Sequence, residues 1–251
     1  MAKYLNSDDL ANNPAARVPV CLCLDLSGSM GIVEEGSYKI TGRQEEIDGK
    51  VCSIVEGGIS RLDKLQEGLN LFYDAIKDDD MAIDAAEIAI VGFSDDVKCL
   101  LNFNHIENQK IPELPLGKNY TKMGEGVKLA LKMLDDRKTL YKNKGIQYYQ
   151  PWLVIMTDGE NNGDINELQE AIDITTQKVN SGKLTVFPIG IGDKADMKTL
   201  SMFSPKRRPL RLKSLKFNEF FCWLSQSISR TSVSKPGEKI VLPPVEEWGT
   251  L

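Results

Sequence analysis

A single histidine, His105, is all that this chain of 251 residues carries. It has neither a GxSxG elbow nor a cysteine partner pattern beside it, so nucleophile–histidine catalysis has no visible machinery. His105 reads as a surface or loop residue. Cysteine is sparse too. Cys21, Cys23, Cys52, Cys99 and Cys222 are odd in number and lack CxxC spacing, which argues against a disulfide framework and a zinc site. Cys21 and Cys23 sit two apart in an apolar run and read as small core residues on one face of a strand. No apolar stretch approaches the ~20 residues of a membrane helix. Residues 1–9 contain no apolar signal core, so the chain is expected in the cytoplasm. A strong excess of one charge is also missing: 31 basic residues face 36 acidic ones, for a net −5. Broad nucleic-acid binding is therefore not expected.

The apolar segments that are present alternate between two periods. Residues 18–24, 87–93, 97–101, 152–157 and 184–191 read as strands, several of them apolar throughout, as in strands buried on both faces. Leu62, Leu65, Leu69, Phe72, Tyr73 and Ile76 follow helical spacing. Helices are also expected over about 124–141, 165–181, 196–203 and 217–229. Asp78-Asp79-Asp80 reads as a solvated turn closing the first helix. Strands alternating with helices predict an α/β fold, a doubly wound and mostly parallel central sheet flanked by helices, Rossmann-like in outline. In such sheets ligands bind beyond the carboxyl ends of the strands.

Two aspartates stand at such ends. Asp25 opens Asp25-Leu26-Ser27-Gly28-Ser29 directly after the first strand, and Asp158 follows the strand 152–157. Ser27 and Ser29 add hydroxyls at alternating positions. Thr121, in the loop before the 124–141 helix, supplies another. Two carboxylates and three hydroxyls form a hard-oxygen set suited to Mg²⁺, or to Mn²⁺ or Ca²⁺. Taken alone, the Asp-x-Ser-x-Ser segment is equally a turn with a helix cap. Joined by Thr121 and Asp158, it is an incomplete coordination shell with room for waters and one outside ligand.

Here the sequence resembles the von Willebrand factor A family and its metal-ion-dependent adhesion site, over roughly residues 18–230. The matching positions are Asp25, Ser27, Ser29, Thr121 and the Asp158 of Met156-Thr157-Asp158-Gly159. The resemblance implies that the serines and the threonine bind the metal directly and that the aspartates often act through water. It implies a non-enzymatic module whose divalent cation receives a carboxylate from a protein partner. The threonine loop often reads Gly-Gly-Thr in that family, but here it is Asn119-Tyr120-Thr121, which places Tyr120 as a candidate for the ligand face. The tail, with Ser234-Lys235-Pro236-Gly237, Pro243-Pro244 and Trp248, resembles cytoplasmic bacterial members linked to tellurium resistance. That implies an adaptor in a stress-response or signalling system, beside kinases or phosphatases. The alternatives are a metal-assisted phosphoryl or ester hydrolase and a scaffold with a structural metal.

Around this core, residues 1–17 read as an N-terminal arm and 31–58 as a hairpin-like excursion, with Asp48-Gly49 as its turn. The excursion is expected to cover the site or meet a partner. Residues 231–251 read as an extended tail that Trp248 could anchor. The basic run 206–216 reads as a solvated loop and edge strand; the alternative is a docking patch for an acidic partner or nucleic acid. Gly190-Ile191-Gly192-Asp193-Lys194-Ala195 formally matches a dinucleotide fingerprint. It comes late in the chain, and no acidic residue ends a strand about 20 positions on, so it reads as a Gly-rich strand exit.

Overall fold

A computed structural model describes residues 13, 15–33, 38–47, 50–238, 240–245 and 248–250. Most of the 1–17 arm and the Asp48-Gly49 turn lie outside these residues. The elements, in chain order, are β1 (Val18–Asp25), β2 (Tyr38–Ile47), β3 (Lys50–Gly57), α1 (Arg61–Lys77), α2 (Asp80–Ala85), β4 (Ala86–Phe93), β5 (Val97–Leu101), α3 (Met123–Lys144), β6 (Trp152–Thr157), α4 (Ile165–Asn180), β7 (Thr185–Ile191), α5 (Met197–Met202), β8 (Leu210–Leu212), α6 (Phe217–Ser232) and β9 (Gly249–Thr250).

Seven strands form one sheet in the order β5-β4-β1-β6-β7-β8-β9. The five inner strands run parallel, and β5 and β9 pair antiparallel at the two edges. The expected mostly parallel α/β sheet is what the chain builds. β1, β4 and β6 are buried at every position because helices cover both faces. The side-chain period of two splits β1 between two cores. Val18, Val20, Leu22 and Leu24 pack with Leu65, Leu69 and Phe72 of α1 and Phe220, Phe221 and Leu224 of α6. Cys21 and Cys23 face the other way, toward Val127 and Leu131 of α3 and Leu168 and Ile172 of α4.

β2 and β3 pair antiparallel as a separate two-stranded sheet. The aspartate triplet departs from the expected turn. Asp79 accepts hydrogen bonds from Met81 N and Ala82 N and so caps a further helix, α2. This is a short-range capping role that three adjacent carboxylates disguise as a charge run.

At the far edge, Trp248 is 1 % exposed, packed against Phe220 and Trp223 at centroid distances of 4.9 and 5.2 Å. Trp223 donates its indole N–H to Pro243 O at 2.8 Å. The chain beyond α6 thus folds back, and β9 pairs with β8, so β8 is not the edge strand that the basic run suggested. That run is also largely engaged within the molecule. Lys206 Nζ donates to Val179 O at 2.9 Å, beside the C-terminus of α4. Arg207 lies 4.8 Å over the Phe187 ring, Arg211 donates to Gly192 O, and Lys216 pairs with Glu219.

At the amino ends of the strands, Glu87 joins Arg17 (3.2 Å), Arg137 (2.6 Å) and the Tyr141 hydroxyl, every side chain almost fully buried. His105 bridges to Glu87 through the backbone at this same end. It is therefore remote from the carboxyl ends where Asp25 and Asp158 stand.

Candidate metal centre

β1 lies at the point where the chain's strand order turns to opposite sides, paired with β4 on one flank and β6 on the other. This is the switch point at which open α/β sheets leave a crevice. The crevice is a cleft of about 510 Å³. Ser27, Ser29, Thr121 and Asp158 line it together, with Asn119, Asn162, Arg61 and Lys194 among its walls. Tyr120, 54 % exposed, flanks the cleft without lining it.

Ser27 Oγ and Ser29 Oγ are 3.0 Å apart. Ser29 donates its hydroxyl to Asp158 Oδ1 at 2.6 Å. Asp25 sits one layer below, fully buried. Its Oδ1 accepts the Ser27 backbone N–H at 2.9 Å, and its Oδ2 accepts the Thr157 hydroxyl at 2.6 Å. Burial pushes the Asp25 carboxyl up to about 6, against the lowering pull of its bonds from Thr157 and Ser27. Asp25 thus orients the serine loop from behind, while the hydroxyls and Asp158 face the cleft.

The loops are tied to one another by backbone. Gly28 N donates to Lys118 O, and Gly117 N donates to Leu26 O at 2.6 Å. A Cβ at position 28 would stand 2.4 Å from Lys118 O, so this close approach demands glycine. Asn162 then clamps the third loop. Its Oδ1 accepts Thr121 N–H at 2.5 Å and its side-chain amide donates to Asn119 O at 3.0 Å. Neighbouring Asn161 accepts Met123 N–H at 3.1 Å, at the start of α3.

The donor set fits a small hard cation. Octahedral Mg²⁺ with oxygens at about 2.1 Å spaces adjacent ligands by about 3.0 Å, which is the Ser27–Ser29 separation. Among the described residues no group of three or more His, Cys, Asp or Glu converges as a metal cage. The oxygens brought together here are mostly hydroxyls. A cation held by them would keep more of its charge than one in an all-carboxylate cage.

Glu160, Asn161 and Asn162, which follow Asp158, read from the sequence equally as supports for the ligands and as ordinary loop composition; in the structure Asn162 holds Thr121. Two residues at the site escape sequence reading: Thr157 holds Asp25, and Arg61 pairs with Asp158 at 2.5 Å. Arg61 carried no signal, being simply the first residue of a helix.

The sequence matches the von Willebrand factor type A domain over residues 20–219. The chain therefore belongs to that family, whose members are protein-interaction modules that often hold a divalent metal. The fold is similar to that of the PilB minor pilin from Streptococcus sanguinis, at 15% identity and a TM-score of 0.56, over 88% of this chain and 64% of that one. It is similar to a von Willebrand factor type A structure from Catenulispora acidiphila, at 15% identity and 0.55, over 86% and 43%. Proximal thread matrix protein 1 from the mussel byssus matches at 16% identity and 0.50, over 86% and 49%. The chain thus spans less than two thirds of each of these proteins, and at such identities the likeness is one of fold. Comparison with curated protein sequences gives no match.

Among the described residues no helix is long and apolar enough to cross a membrane.

Proposed function

We propose that this protein is a metal-dependent interaction module. Ser27, Ser29 and Thr121 hold a Mg²⁺-like ion, with Asp158 and Asp25 acting directly or through water, and a carboxylate from a protein partner completes the shell. The observation that supports this is the convergence of Ser27, Ser29, Thr121 and Asp158 on one cleft at the switch point of the sheet. Bound there, the cation would act as the electrophile that recognises an acidic side chain. The tail sequence supports a finer reading, an adaptor of the tellurium-resistance type in a bacterial stress-response or signalling system, beside kinases or phosphatases.

Calorimetric titration with MgCl₂ and MnCl₂ tests the metal reading. Binding that Ser27→Ala and Thr121→Ala abolish is expected. Pull-downs with and without EDTA test the partner reading. A partner set that neither EDTA nor Ser27→Ala changes overturns it. Metal-dependent phosphatase activity of the purified protein, lost in Asp25→Ala, would show an enzyme instead.

A further inference from the structure

Arg61 stands where three segments of the site meet. Its backbone N–H donates to Ile32 O at 3.1 Å, seating the first turn of α1 against the chain that leaves the serine loop. Its guanidinium lies 2.5 Å from Asp158 Oδ2, with the arginine side chain 17 % exposed and the carboxylate 0 %. Its other face lies over the turn that follows β7. Gly192 has φ +69° there, and a Cβ on it would stand 3.2 Å from Arg61 Nη2. Gly192, part of the formal dinucleotide fingerprint, thus leaves the arginine its berth. Gly190 has an equally local reason, since a Cβ there would come within 2.5 Å of Met197 Sδ.

The two oxygens of Asp158 are therefore divided. Oδ1 takes the Ser29 hydroxyl on the side of the candidate ligands, and Oδ2 takes Arg61. A buried carboxylate with a permanently charged guanidinium on one oxygen has its charge largely compensated before any cation arrives.

We infer that Arg61 is a built-in counter-cation that sets the metal affinity of this site, weakening cation binding and leaving the bound ion less compensated and so more attractive to an anionic ligand. This rests on the metal reading proposed above. Without Arg61 the two aspartates present −2 to a divalent ion; with it they present −1. The same positive charge that repels the metal adds to the field that an incoming carboxylate meets.

The test is titration of the full chain with MnCl₂ and MgCl₂, comparing wild type, Arg61→Gln and Arg61→Lys. Arg61→Gln is expected to tighten Mn²⁺ on the order of tenfold, as removal of a unit charge close to the ion predicts. Arg61→Lys, which keeps the charge, is expected to stay within about threefold of wild type on the same ground. Tightening is a gain that structural damage does not produce. Unchanged or weaker binding in Arg61→Gln, with wild type binding normally, overturns this inference and leaves the metal reading standing. No binding by any of the three proteins overturns both. Should Arg61→Gln fail to fold, guanidinium NMR of the wild type decides. Arg61 Nη–H resonances that shift on Mg²⁺ addition support the inference, and resonances that stay fixed at saturating metal overturn it.

Discussion

Ser29 and Asp158 stand 129 positions apart in the chain and share a hydrogen bond of 2.6 Å. The pairing exists because β1 and β6 are adjacent parallel strands in register, Leu24 opposite Met156. Both strands therefore release their loops at the same edge of the sheet. Parallel pairing of two buried apolar runs is what turns separate loop residues into a shared cleft.

The layer beneath that bond predicts a stability cost. The Asp25 carboxyl is raised by burial from 3.8 to about 6. Between those values the folded chain keeps a proton that the unfolded chain has lost. Metal-free stability should accordingly fall as pH rises through the window, by about 3 kcal/mol in all. Asp25→Asn removes the charge. Its amide can donate to Thr157 Oγ, whose hydroxyl can turn to Gly159 O, 3.5 Å away. Thermal unfolding in EDTA should show Asp25→Asn more stable than wild type at pH 7 and nearly equal at pH 4. Added Mg²⁺ should raise the wild-type midpoint at pH 7 and leave the variant's where it was.

Asn162 holds the threonine loop through two hydrogen bonds to backbone. Asn162→Ala should cost about 1 kcal/mol or less overall, since the residue is exposed and net hydrogen-bond contributions are small. Its local effect should be larger. Amide hydrogen exchange at Thr121 should accelerate and Mn²⁺ affinity should drop, while protection in β1 and β6 stays as in wild type.

At the opposite end of the sheet, Glu87 is shared by Arg17 and Arg137 in a buried cluster. Glu87→Gln takes away the carboxylate that both guanidiniums use, and loss of one partner from a buried ion pair typically costs about 3–5 kcal/mol. Urea denaturation should show that loss. Metal binding by the remaining folded protein should be unaffected, because the cluster lies at the amino ends of the strands.

Trp248 tests whether the tail is a working part of the core. Trp248→Ala should destabilise by about 3–5 kcal/mol, as for other buried large aromatics. Its Nε1 is buried without a hydrogen-bond partner among the described residues. Trp248→Phe therefore sacrifices ring area but no hydrogen bond, and its midpoint in the same denaturation series should fall much nearer wild type than that of the alanine variant.

Periodicity alone revealed the elements with strong patterns, among them β1, β4, β6 and β7, each to within a residue at either end, and the amphipathic faces of α1 and α4. α2 was hidden because its capping aspartate sits among two others. β9 was hidden because a two-residue strand exists only when β8 is there to accept it. Arg61 was equally invisible, since a helix-initial arginine acquires its meaning from a carboxylate 97 positions away.

Sequence by itself determined the α/β class and the identity of the oxygen-bearing side chains at strand ends, because hydrophobic period and residue chemistry are local properties. Tertiary structure alone decided that Ser27, Ser29, Thr121 and Asp158 share a cleft while Asp25 lies beneath it, and that Arg61 pairs with Asp158. Depth, distance and charge compensation are relations between segments, and only the packing of parallel strands under two layers of helices sets them.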